Sequence, residues 1–160
     1  MAVDMFLKIN GIERELQDSK HKDEIDILAC SWGATQSGTT HMGTGGGAGK
    51  ADVQDLSFTK YVDKSSHLLL MRVLNGQLAK EAALVVRKAG GQLLEYITIK
   101  MKELTVTSVS TGGSGGEDRL TENLTLSFSK VEFIYTPQKK GGSPDAEVKT
   151  GWDIAANVVA

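Results

Sequence analysis

The chain has 160 residues with 40% hydrophobic and 24% charged content, which suits a globular chain with a real core. A formal net charge of −2 and four scattered arginines (Arg14, Arg72, Arg87, Arg119) leave no basic stripe, so phosphate-driven nucleic-acid binding is not expected. Cys30 is the sole cysteine and cannot close an internal disulfide, so the chain is built to fold in a reducing compartment.

The start, Met1 to Met5, includes Asp4 and no long apolar run, so it does not read as a secretory signal peptide. No segment approaches the roughly 18 apolar residues of a membrane helix, and no membrane insertion is expected. Val3, Met5, Leu7 and Ile9 alternate, predicting a strand that ends at Asn10-Gly11. Ile25, Ile27 and Ala29 alternate against Leu28, Cys30 and Trp32, predicting a second strand apolar on both faces. His21, His41 and His67 show no ligand spacing with each other or with Cys30, so no metal is expected.

The run 41–51, His-Met-Gly-Thr-Gly-Gly-Gly-Ala-Gly-Lys-Ala, raises a nucleotide site and then fails it. Placing Gly49-Lys50 on the Gly-Lys of a phosphate loop puts Thr44 where the first glycine belongs and Ala51 where a metal-binding hydroxyl belongs. The segment before it, Thr35 to Thr40, is polar, not a buried strand. A dinucleotide pattern on Gly43, Gly45 and Ala48 fits loosely and lacks the same strand. No cofactor is expected. Six of the twelve residues 38–49 are glycine, which makes this an extended loop that loses much entropy if ordered.

Residues 53–62 fit a strand or a helix, and the β-branched and aromatic residues favour a strand. Ser65 or Ser66 can start a helix, Leu68 to Leu74 is densely apolar, and Asn75-Gly76 stops it. Strand alternation returns at Ala82, Leu84 and Val86. From Tyr96 to Thr107, Ile97, Ile99 and Met101 share one phase while Leu104 and Val106 share the other. The same slip separates Leu124, Leu126 and Phe128 from Val131, Phe133 and Tyr135. Each slip predicts a β-bulge or a sharp coil in a long bent strand. Glu117-Asp118 and Glu122 are the candidates for a carboxylate pair, but beside Gly115-Gly116 they read as a solvated turn. No catalytic grouping is legible, and no enzyme activity is expected.

The expected fold is therefore mainly β, a β-barrel of two sheets with one short α-helix. It is one domain over 1–160, with a glycine-rich loop at 38–49, a polar linker at 138–150 and a C-terminal tail at 151–160. Long strands with only Pro137 and Pro144 to blunt their edges favour pairing between copies.

Several stretches, in order and over nearly the whole chain, resemble the haemolysin-coregulated protein (Hcp) family of bacterial type VI secretion. They include Met5-Phe6-Leu7-Lys8-Ile9, His21-Lys22-Asp23-Glu24-Ile25 to Ser31-Trp32-Gly33, Gly38-Thr39-Thr40-His41 and Asp55 to Lys60. Arg87-Lys88-Ala89-Gly90, Tyr135-Thr136-Pro137-Gln138 and Gly151-Trp152-Asp153-Ile154 continue the match. The resemblance implies a barrel like that of phage tail-tube subunits, a homohexameric ring, and rings stacked into a hollow tube. It implies a contractile sheath and a VgrG spike as partners, and small effector proteins carried in the lumen. It also implies synthesis in the bacterial cytoplasm and release through the secretion machine. Gly38, Thr39, Thr40, His41, Met42, Gly43, Thr44, Gly45, Gly46, Gly47, Ala48, Gly49 and Lys50 would form the loop that reaches the next ring. Ser31 would face the lumen and its cargo. The alternative is a secreted effector or a small-ligand-binding barrel on the same fold.

Overall fold

The computed structural model describes residues 3–12, 21, 24–36, 50–88 and 94–160. Among these there are eleven strands and one helix. In chain order they are β1 (Val3–Ile9), β2 (Ile25–Ile27), β3 (Ala29–Ser31), β4 (Ala34–Thr35), β5 (Asp52–Val53), β6 (Leu56–Tyr61) and α1 (Ser66–Asn75). β7 (Ala79–Lys88), β8 (Glu95–Gly112), β9 (Thr121–Tyr135), β10 (Val148–Asp153) and β11 (Val158–Val159) follow. The fold is mainly β, with two sheets and one helix, as the alternation of the sequence requires.

Nine strands share one antiparallel sheet; β4 and β5 form a second, small one. The large sheet turns back on itself because β8 and β9 are long enough to serve two halves. In one half, β8 pairs with β7 and the later part of β9 pairs with β10. In the other, the earlier part of β9 pairs with β6, and β6 pairs with β3. Among the described residues the ladders do not run into a closed ring. β2 pairs with β1 and β3 with β6, and the chain crosses between them at Leu28, whose N–H donates to the Thr59 carbonyl at 2.8 Å.

The two halves meet where the sequence slips. Glu103 has φ 51, the left-handed region, inside β8. Its partner strand slips at the same level, at Ser129, whose hydroxyl donates to the Glu103 carboxylate at 2.9 Å. Lys102 faces Lys130 and Leu104 faces Phe128, so the register carries through unbroken. The slip is therefore a coil of two strands together, not an inserted residue. The true register shift lies between Val106 and Ser108, with Thr107 the extra residue. Glu103→Val is expected to lower stability by about 1–2 kcal/mol, because a β-branched residue tolerates this φ poorly. Glu103→Gly is expected to stay within about 1 kcal/mol of the parent. Urea unfolding checks both; an equal loss from the two would assign the effect to the Ser129 hydrogen bond instead.

Between the halves lies a core that includes Leu7, Ile25, Leu56, Phe58, Leu84, Met101, Leu104, Leu124 and Leu126, with Leu69 of α1 inserted. Trp152 and Ile154 of the C-terminal segment pack against it. Helix α1 begins where the Asp63 carboxylate accepts the Ser65 N–H at 2.9 Å, and it ends at Gly76. There φ is +66, a conformation that favours glycine, and the Gly76 N–H donates to the Arg72 carbonyl at 3.0 Å. Among the described residues no helix is long and apolar enough to cross a membrane.

Candidate functional site

The half-sheet built from β3, β6, the first part of β9 and the second part of β8 has two unlike faces. Inward, Leu56 and Phe58 of β6 and Leu124 and Leu126 of β9 are buried. Outward, the same strands present Ser57 and Thr59, Asn123 and Thr125, and on β8 Ser108 and Ser110. Strict period two explains the contrast, since every second residue must face away from the core. The outward face is small, neutral and hydroxyl-rich. It carries a shallow depression of ≈ 280 Å³ lined by these residues together with β3.

Hydroxyls on this face bond mostly to one another. Thr59 Oγ1 donates to Asn123 Oδ1 at 2.8 Å. The register shift in β8 brings both Thr107 and Ser108 to Thr125, with hydroxyl contacts of 2.6 and 2.7 Å. Thr107 also donates to the Asp55 carboxylate at 2.9 Å. Ser31 lies on β3 directly opposite Ser57 and is exposed on this wall. Its neighbour Trp32 is anchored by an Nε1–H bond of 2.8 Å to the Gln54 carbonyl and a tilted contact with Phe128.

Cys30 is also exposed, with its sulfur 3.6 Å from the Met5 sulfur. Although the residue is exposed, its neighbours partly desolvate the sulfur and push its thiol pKa up, which leaves less thiolate and makes it a poor nucleophile at neutral pH. No grouping of His, Cys, Asp and Glu fit to hold a metal ion occurs among the described residues. Lys50 is exposed ahead of β5, and the rest of the loop expected to reach the next ring, 38–49, lies outside the described residues.

The sequence placed Glu122 in a solvated turn with Glu117 and Asp118, and here the structure differs. Glu117 and Asp118 are exposed, while Glu122 is 3% exposed and points inward in phase with Leu124 and Leu126. It meets Lys60, which is fully buried at 0% exposure on the inward face of β6. The Lys60 ammonium donates to Glu122 at 2.7 Å, to the Tyr61 carbonyl at 2.9 Å and to Ser66 Oγ at 3.2 Å, and pairs with Asp63 at 3.0 Å. Ser66 and Thr111 donate to the two Glu122 oxygens at 2.8 and 3.0 Å. This cluster joins the start of α1 to β6, β8 and β9. Its groups are consumed by one another, so it is a structural tie and not an acid–base pair.

A second polar cluster, which the sequence did not reveal, sits on the far face of β1 and β7. The His21 ring stacks on Phe6 with centroids 4.3 Å apart, and Arg87 lies over the Phe6 ring at 4.7 Å. His21 Nδ1 meets Glu24, and Nε2 lies 2.6 Å from the Glu95 carboxylate. Arg87 pairs with Asp4 at 3.3 Å. Both ring nitrogens are thus taken up in holding His21 against the sheet.

The family model described as "Type VI secretion system effector, Hcp" matches residues 6–135. The chain belongs to the Hcp family. It is similar to Protein hcp1 of Pseudomonas aeruginosa, with 57% identity over all of both chains. Its fold is similar to that of a solved type six secretion system protein, at TM-score 0.94 and 29% identity, covering 99% of this chain and 100% of that one. Hcp1 from Salmonella typhimurium matches at TM-score 0.80 and 35% identity, with full coverage of both chains. This chain is therefore a secreted tube protein of the type VI secretion system, and the mainly β fold with one helix is the fold of that family.

Proposed function

We propose that this Hcp protein assembles as a homohexameric ring, that rings stack into a hollow tube, and that the hydroxyl-rich face of β3, β6, β8 and β9 lines the lumen. The observation that carries this reading is the pairing of a bland outward face with two unpaired edges. Beyond Leu104, β8 has no strand on the side away from β9 among the described residues, because β7 starts at Ala79 opposite Leu104. At the other side of the same half-sheet, β3 has β6 on one edge and no described strand on the other. Unpaired edges invite pairing with another chain. Two different edges on one subunit favour a head-to-tail arrangement, which closes into a ring when the rotation suits.

In this reading the uncharged wall suits transit. Neutral hydroxyls hydrogen-bond to water as readily as to cargo, so each contact with a passenger is weak and reversible. Small effector proteins would ride inside; a sheath outside and a spike at the tip would complete the machine. The chain would be made in the bacterial cytoplasm and leave by this route, acting as a structural part and not an enzyme. Ser31 is assigned to the lumen wall, and the loop 38–50 to the contact with the next ring.

Electron microscopy of the purified protein tests the ring, with light scattering for its mass. Rings with an open centre and a mass six times that of the chain are expected; a stable monomer at high concentration would overturn the reading. Removing 38–49 is expected to leave rings intact and to lower secretion. Loss of the rings themselves would place that loop in the contact between subunits.

A further inference from the structure

The hydroxyl wall ends in a charge. Asp55 stands just before β6, in phase with Ser57, Thr59 and Tyr61, so it points to the same side as they do. The outward positions beside them on β3, β8 and β9 are all uncharged. Asp55 is exposed and makes no ion pair among the described residues. At the other end of β6, Arg119 lies over the Tyr61 ring, 4.0 Å from its centroid. From Asp55 to Tyr61 the strand covers roughly 20 Å, so the two charges do not meet.

The bulge in β8 builds a seat for this carboxylate. Thr107 Oγ1 lies 2.9 Å from Asp55 Oδ2 and 2.6 Å from Thr125 Oγ1, and Ser108 Oγ lies 2.7 Å from Thr125 Oγ1. A carboxylate only accepts, and a hydroxyl has one proton to give. Thr107 therefore gives its proton to Asp55, Thr125 gives its own to Thr107, and Ser108 gives its own to Thr125. The Thr125 carbonyl, at 3.2 Å, is the weaker acceptor for the Thr107 proton. The hydroxyls thus line up toward the acid, and each bond strengthens the next. Without the extra residue only one of Thr107 and Ser108 could face Thr125. The bulge fixes where the one charge of this wall sits.

In a ring every subunit presents this acid at the same level, because rotation about the ring axis changes no height. The carboxylates then form a band around the bore. A band of like charge in a narrow passage gathers cations and turns anions away. Its reach is short, since salt screens charges beyond about 8–10 Å. The band therefore acts on the part of a passenger that lies at its own level.

We propose that Asp55 sets the charge preference of the lumen: the band of Asp55 carboxylates favours passengers that carry lysine or arginine at its level and disfavours acidic ones. The proposal rests on the ring reading above and names the surface chemistry that the lumen selects. The hydroxyls supply the general part of each contact, and Asp55 adds the selective part. A single exposed ion pair is weak. Several around one ring act on the same passenger, and their sum stays reversible.

Asp55→Asn tests this in the assembled ring. The amide keeps an oxygen for the Thr107 proton and removes only the charge, so ring mass and melting temperature are expected to stay at the parent values. Binding of a fluorescent oligolysine peptide, read by anisotropy at low salt, is expected to weaken roughly tenfold. Asp55→Ser, also neutral but shorter, is expected to match it. The difference from the parent is expected to vanish at about 1 M salt, where screening shortens to roughly 3 Å. An oligoglutamate peptide is expected to bind the parent more weakly than oligolysine does. Glu81→Gln removes one carboxylate per chain from the exposed outward side of β7 and is expected to bind oligolysine like the parent. A parent that is itself monomeric sinks the ring reading. A parent ring that binds the two peptides alike, neutral variants that bind oligolysine unchanged, or an equal loss with Glu81→Gln overturns the charge band and leaves the ring reading standing.

Discussion

Glu122→Ala is expected to destabilise the subunit by about 3–5 kcal/mol, because it strands the buried Lys60 ammonium without its nearest carboxylate. For a chain of this size that is a fall in melting temperature of roughly 10 °C. Asp63, 3.0 Å from the ammonium, softens the loss without cancelling it. Asp63 also takes the Ser65 N–H at the start of α1, so moving it toward Lys60 loosens the helix. The hydroxyls of Ser66 and Thr111 lose their acceptor as well. Replacing both charges, Lys60→Met/Glu122→Leu, is expected to be milder than Glu122→Ala alone, since two desolvated charges leave together. Thermal unfolding of the single and double variants measures the coupling. A Glu122→Ala variant within about 1 kcal/mol of the parent would mean that Lys60 reaches water and that the cluster ties nothing.

That pair was half legible in the sequence. Lys60 continues the phase of Leu56 and Phe58, and Glu122 that of Leu124 and Leu126, so alternation alone aims both inward. Proximity to Gly115-Gly116 suggested a turn, and the turn reading wrongly absorbed Glu122. Residue-by-residue phase was the better guide. The slips in β8 and β9 were visible for the same reason. Whether they were bulges or coils was not, because that depends on the partner strand. The two slips lie opposite each other, at Glu103 and Ser129, and cancel in register. The helix was plain from Ser65-Ser66 and the terminal Asn75-Gly76, although the Ser65 side chain caps no helical N–H and bonds Asp63 instead. The split at Leu28, where one predicted strand becomes β2 and β3, was not. Its apolar residues on both faces reflect a change of partner from β1 to β6, which only the folded chain defines. The His21 cluster joins residues 74 positions apart through side chains, and no local pattern encodes it.

Ser31→Trp is expected to leave ring formation and mass unchanged and to cut carriage of some effector proteins at least tenfold. Ser31 is exposed on β3 and faces Ser57 across the ladder, so a large ring there meets no packed core and the fold tolerates it. The wall around it offers hydroxyls and amides, each contact being worth roughly 0.5–1.5 kcal/mol net. Binding inside such a lumen therefore depends on many weak contacts and on the fit of the cargo surface. A tenfold loss needs only about 1.4 kcal/mol in total. In a ring the substitution recurs once per subunit, so a modest penalty at each reaches that sum, and the bore narrows at one level all the way round. Ser31→Ala removes a hydroxyl without adding bulk and is expected to carry cargo nearly as well as the parent. The amount of effector recovered with the purified ring measures both variants. Unchanged carriage of every effector with Ser31→Trp would remove Ser31 from the lumen. Equal losses with Ser31→Ala would shift the cause from bulk to the lost hydrogen bond.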